Sequence, residues 1–296
     1  MKILFLFFPI CISFVLSQGK SNGFGGLKLP LHAREAALAE ATIADPTVFS
    51  SFVLNPALLQ YSQSAEFALS HQEWIEDVQS NSLAAVIPLS FGVFGFTVSS
   101  ISIGGIELRN QPGPPTGSFT SRYTTVGLSG ATAITENFCA GASIRYLYEK
   151  IFVDEADGWG IDAGIEYQTG IEGLSLGASV VNIGAMSELR SKSTQLPTKL
   201  AAGGALYTPI DDNISVRFVT SVQRYLADES LHLSVGAELE YSRFFLVRAG
   251  YQSGYSTRGI SAGFGFVSLP ILVDYSFTPF SFSLGNAHLL SLGIRL

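Results

Sequence analysis

From about Ser64 to the last residue, apolar side chains alternate with small or polar ones at a period of two. Between Leu231 and Tyr241, one face carries Leu231, Leu233, Val235, Ala237, Leu239 and Tyr241. The other carries His232, Ser234, Gly236, Glu238 and Glu240. Such alternation marks a β-strand with two unlike faces. Two architectures share the code. A soluble sandwich turns its apolar face to a core and its charges to water. A transmembrane barrel turns the apolar face to lipid and the polar face to a lumen.

The alternation divides the chain into fourteen strands. They are expected at Ala65–His71, Ser82–Pro88, Phe91–Ser102, Arg122–Ile134, Phe138–Lys150, Gly158–Thr169 and Leu174–Ile183, then at Pro197–Tyr207, Ile214–Leu226, Leu231–Tyr241, Phe244–Tyr251, Arg258–Val267, Pro270–Phe277 and Ala287–Leu296. Their connections alternate in length. Tight turns fall near Leu89-Ser90, Thr135–Asn137, Gly170–Glu172, Asp211–Asn213, Ser242-Arg243 and Ser268-Leu269. Longer loops fall at Gln72–Asn81, Ile103–Ser121, Ile151–Asp157, Gly184–Leu196 and Thr278–Asn286. Long loops on one rim and tight turns on the other are the outer-membrane arrangement, and a sandwich has no reason to alternate so. The expected fold class is all-β: a 14-stranded antiparallel transmembrane β-barrel with an N-terminal plug segment.

The N-terminus sets the compartment. Lys2 is followed by an almost unbroken apolar run from Ile3 to Leu16 and then by Ser17-Gln18. The run is too short to span a bilayer as a helix and reads as a secretory signal cut before Gln18. Cys11 lies inside it without the small residues of a lipoprotein cleavage box. No later stretch approaches the roughly eighteen apolar residues of a membrane helix. The expected division is a signal peptide at 1–17, a plug or hatch segment at 18–63 and a barrel at 64–296, exported to the outer membrane. Only 14% of residues are charged, against roughly 25% in soluble domains, while aromatics reach 12%. Cys139 alone remains after the signal, which excludes an intrachain disulfide framework. A net charge of −7 argues against a nucleic-acid partner.

Strand parity assigns the faces. Phe138, Tyr146, Trp159, Phe218, Phe264 and Phe266 are expected toward lipid. The lumen collects Arg145, Asp162, Glu166, Arg217, Glu238, Glu240, Arg248 and Arg295. This mixed-sign set fits internal pairing that holds the lumen and its plug, with a substrate-selective cluster as the other use. Gly259-Ile260-Ser261-Ala262-Gly263, followed by Asp274 and His288, matches a hydrolase nucleophile pattern. That pattern needs a strand, a sharp turn and a helix, whereas Ser261 lies mid-strand; no enzyme is expected. His32, His71, His232 and His288 lack metal-ligand spacing, and His232 and His288 are expected to cap or line the barrel. Cys139 has no local histidine to activate it. No cofactor is expected.

Gly19–Gln63 breaks the strand code. Ala33–Ala41 is alanine-rich and helix-prone. Asp45-Pro46 follows, and then Asn55-Pro56-Ala57, where Asn55 can cap a short helix that has Pro56 at its first position. An Arg34-led small-residue segment, Asp45, and Asn55-Pro56-Ala57 before the first strand resemble the PorV/PorQ family of outer-membrane proteins, relatives of the FadL-type fourteen-stranded barrels. The Gly-Leu-Ser-Leu-Gly-Ala-Ser run from Gly173, with Asn182-Ile183-Gly184, is also similar to that family, and the resemblance covers essentially the whole mature chain. Leu290, Leu292, Ile294 and Leu296 resemble a C-terminal insertion signal, with Leu296 in place of the usual terminal aromatic.

The resemblance implies a barrel whose N-terminal segment folds into the lumen. In that setting Arg34 is expected to pair with Glu166, Glu238 or Glu240, and Asn55-Pro56-Ala57 to start a short helix near the first strand. Besides outer-membrane lipids, the PorV/PorQ members imply type IX secretion components or cargo C-terminal domains as partners. The longest loop here, Ile103–Ser121, is modest for that role. The FadL-type relatives imply the alternative, a passive transporter of a small hydrophobic molecule.

Overall fold

The computed structural model describes residues 24–47, 51–109, 111–189 and 192–296. The expected signal peptide and the first residues after it lie outside these. Fifteen strands form one antiparallel sheet. In chain order they are β1 (Glu66–Glu73), β2 (Val78–Leu89), β3 (Gly92–Leu108), β4 (Gly117–Thr135), β5 (Phe138–Ile151), β6 (Asp154–Gln168), β7 (Leu174–Leu189) and β8 (Lys192–Gln195). The second half comprises β9 (Lys199–Pro209), β10 (Ile214–Tyr225), β11 (Leu231–Tyr241), β12 (Phe245–Gln252), β13 (Ile260–Ser268), β14 (Ile271–Pro279) and β15 (Asn286–Arg295). β8 is a short appendage paired only to β7; the other fourteen close into a barrel through β1–β15 and β6–β7–β9. Closure leaves no edge in the wall, which is what an apolar solvent demands of a sheet.

All fourteen expected strands are present, and they differ mainly in length. β3 and β4 run 17 and 19 residues, whereas β12 has 8, so the wall rises higher on one side. These extensions shorten the expected long loops. The segment 151–157 becomes a tight turn at Phe152-Val153, and the segment 184–196 contains β8.

Side-chain placement decides between the two architectures. On β11, Leu231, Leu233, Val235 and Leu239 are exposed, while His232, Ser234 and Glu238 are buried. That is a sandwich turned inside out, and it is the arrangement of a wall facing lipid. Trp159, Phe218, Phe264 and Phe266 are exposed in the same way. Phe138 and Tyr146 share that face but are half-covered, Tyr146 by the Trp159 ring at 5.1–5.3 Å spacing typical of edge contacts, here 5.3 Å.

Candidate functional site in the lumen

The described residues between Phe24 and Ser62 lie against the inward face of the wall. Phe24 is at the long-loop end, among Leu147, Ala156, Met186 and Leu196, with its ring 5.1 Å from that of Tyr123. Ser62 is at the tight-turn end, four residues before β1. Between them runs the helix α1 (Ala33–Ala37). Alanine favours the helix and keeps it thin enough for a lumen. Ala33 N donates to Ser291 Oγ at 3.0 Å, and the Ser70 hydroxyl bonds both Ser291 Oγ and His32 Nδ1. Left-handed Ala39 and Glu40 (φ 53° and 58°) then end it.

The wall is cut away where the segment passes. An added Cβ at Gly263 would stand 2.6 Å from Ala37 Cβ, and one at Gly250 would stand 2.7 Å from Ala39 N. Ser261 Oγ donates to Ala37 O at 2.9 Å. The hydrolase-like Gly-x-Ser-x-Gly is therefore a seat for α1.

Three cations and three carboxylates meet beside the helix. Arg34 donates from Nε to Glu238 Oε2 at 2.9 Å and from Nη2 to Asp45 Oδ2 at 2.6 Å. Arg248 bridges Glu238 and Asp274, each at 2.5 Å. Arg217 bonds Asp45 and Thr47 and lies 3.6 Å from Glu238. A buried charge left alone costs several kcal/mol, so equal numbers of each sign are what permit this cluster. Among Glu166, Glu238 and Glu240, Arg34 thus takes Glu238, and it adds Asp45 from its own segment.

Glu166 serves another contact. It accepts from Tyr61 OH and from Gln168 Nε2 at 2.7 Å, with Cys139 Sγ 3.2 Å from Tyr61 OH. Glu240 faces inward, half-buried, outside these networks. Arg295 pairs with Glu66 at 3.0 Å on the tight-turn rim. Arg145 donates to Asp162 Oδ1 and to Asn182 Oδ1, both at 2.5 Å. A bulge in β7 turns Asn182 inward beside Val181, with Asn182 at φ 64°. The Asn-Ile-Gly similarity thus falls on a wall irregularity.

Asn55 caps as expected, accepting from Ala57 N at 3.2 Å, but the turn that follows, Pro56–Tyr61, is a 3-10 helix. It packs against β4, β5 and β6, not beside β1. Asn55 Nδ2 reaches Ile43 O at 2.8 Å and Ile165 O at 3.0 Å, which ties the segment to itself and to β6.

At the long-loop end, Lys28 pairs with Asp228 at 2.9 Å and lies over the Tyr225 ring. Arg258 reaches Glu40 at 3.2 Å and stacks on Tyr255, whose other contact is His232. His288 is on the outer face instead, bonded to Tyr275 OH at 2.7 Å, contrary to a lining role. A cavity of about 50 Å³ remains inside, with Leu29, Leu31 and Ile101 on one side and Thr125, Arg145 and buried Lys199 on the other. It is large enough for a few waters at about 10–15 Å³ each. Among the described residues, no three His, Cys, Asp or Glu side chains converge as a metal site.

Phe24, Glu40, Lys199 and Arg258 escaped the sequence reading as lumen residues, and Asp274 entered it only beside the hydrolase pattern. Asp274 had the required inward parity, and the inward glycines mark the track of the segment; both signals were available.

No family model matches the sequence, and no curated protein does. Solved structures do match in fold. The toluene transporter TodX of Pseudomonas putida superposes with a TM-score of 0.62 at 13% identity, over 90% of this chain and 97% of that one. The CymD monoaromatic hydrocarbon channel gives 0.57 at 14% identity, covering 90% and 96%. A Pseudomonas aeruginosa FadL homologue gives 0.50 at 12%, covering 90% and 98%. The fold is that of FadL-like outer-membrane barrels.

Proposed function

We propose that this protein is an outer-membrane barrel that passes small hydrophobic compounds, with the segment from Phe24 to Ser62 as its plug. The observation that carries the reading is an apolar patch at the long-loop end of the lumen, where Phe24 packs among Leu147, Met186 and Leu196 beside the Lys28–Asp228 and Arg258–Glu40 pairs. The monoaromatic hydrocarbon channel and the toluene transporter among the fold neighbours support the same direction. Among the described residues the segment occupies most of the lumen, so passage requires the plug to move. The experiment is uptake of toluene and of a polar solute of similar size by proteoliposomes. Toluene uptake that depends on the barrel is expected; uptake of the polar solute alone overturns the reading.

A second reading keeps the PorV/PorQ resemblance: a partner in type IX secretion that handles exported proteins or their C-terminal domains. The nearly filled lumen favours it, since an interaction protein needs no open path. Affinity purification of a tagged copy from outer membranes discriminates, with secreted proteins retained under this reading and absent under the first.

A further inference from the structure

The outer wall carries a groove that the lumen does not use. Most outward positions are Leu, Ile, Val or aromatic, but β7, β9 and β10 place Ala178, Ala202, Gly204 and Thr220 outward. Cross-strand pairing sets Ala178 opposite Ala202 and Gly204 opposite Thr220. The surface there forms two open hollows of about 820 and 660 Å³ that share Ala202 and Val222 in their lining. Leu206 and Phe218 wall the lower end.

Arg224 stands at the upper end, exposed, one residue before β10 finishes on the long-loop side. Its cross-strand neighbours are Leu200 and Leu231, and no described residue forms an ion pair with it. A guanidinium keeps its charge at every accessible pH and matches the geometry of phosphate oxygens. On a lipid-facing surface it needs an anion at the headgroup level.

Length identifies the rest of the occupant. Arg224 to Phe218 is six strand steps of about 3.3 Å, or about 15 Å of depth at a tilt of roughly 40°. That is about half the ~30 Å hydrocarbon core, the reach of one leaflet's acyl chain. A second copy of the chain on this face would instead press an uncompensated guanidinium into apolar surface.

We propose that the groove binds a phosphorylated membrane lipid of the long-loop leaflet. One acyl chain lies over Ala202 and Gly204, and Arg224 holds the phosphate. The site rests on the barrel's placement in a bilayer and is independent of what crosses the lumen.

The test is native mass spectrometry of the full barrel with added phosphatidylglycerol or the phosphate-free diacylglycerol of identical chains. The wild type is expected to retain phosphatidylglycerol about tenfold better, the effect of charge-assisted hydrogen bonds to one phosphate. Arg224→Ala abolishes the preference, Arg224→Lys keeps part of it, and Ala202→Phe lowers retention of both lipids. Heat-dependent gel migration confirms that each variant is a folded barrel. Equal retention by the wild type and Arg224→Ala overturns the proposal. So does a lipid-free species of twice the protein mass that Ala202→Phe abolishes, which would make the groove an interface between copies.

Discussion

Arg34 is the residue on which the charge cluster balances. With it, three guanidinium groups face Asp45, Glu238 and Asp274; without it, Arg217 and Arg248 alone must balance three carboxylates. Arg34→Ala is therefore expected to destabilise the seated segment by about 3–5 kcal/mol, the range for breaking a buried pair. The measurement is protease resistance of the segment together with leakage of small solutes; unchanged resistance and leakage would contradict the assignment. Asp228 gives a pH test at the other end. It lies in the loop between β10 and β11. Burial pushes its carboxyl up, but hydrogen bonds from Ser230 and Lys28 outweigh that and hold it below the usual range. A depressed folded-state pKa means the tie to Lys28 is complete above the unfolded value of about 3.9 and is lost as pH falls through the lower folded value. Hydrogen exchange around Phe24–Leu29, corrected for intrinsic rates, should rise through that window. Asp228→Asn should show the faster exchange at every pH.

The elements depend on where the wall lacks side chains. A Cβ at Gly164 would stand 1.9 Å from Asn55 Oδ1, and one at Gly141 would stand 2.5 Å from the Pro56 carbonyl carbon. Gly164→Ala should expel the Asn55 turn, at a cost of about 1–3 kcal/mol for overpacking, while the strands still pair. Heat-dependent gel migration should thus stay like the wild type, with the segment now open to protease; loss of the barrel itself would contradict this. The strands were legible in sequence because lipid on one side and a packed lumen on the other impose strict alternation. The upper parts of β3–β7 and the short β8 were not, since beyond the membrane neither face is constrained. The path of the segment was only partly legible. Arg34 and Asp45 stood out as charges among small residues, but their partners are set by closure: Arg34 and Glu238 are 204 residues apart. Asn55 announced a cap, yet its second contact, on β6, follows from Gly164, whose meaning appears only with the wall in place.

For the whole molecule, the closed wall and filled lumen are one fact. Among the described residues the segment fills the lumen down to a cavity of about 50 Å³, so the proposed passage of a hydrophobic compound requires the segment to leave its seat. Population shift then governs the rate, and whatever favours the seated state should slow passage. A covalent lock between segment and wall tests this most directly. Ala44 and Ala205 lie in one buried cluster between segment and wall, and the Ser175 hydroxyl reaches the carbonyls of both. Ala44→Cys with Ala205→Cys, in a Cys139→Ser background, should form a disulfide under oxidation. Toluene uptake by proteoliposomes should fall to the protein-free level when the pair is oxidised and recover on reduction. Equal uptake in the oxidised and reduced states would contradict the account.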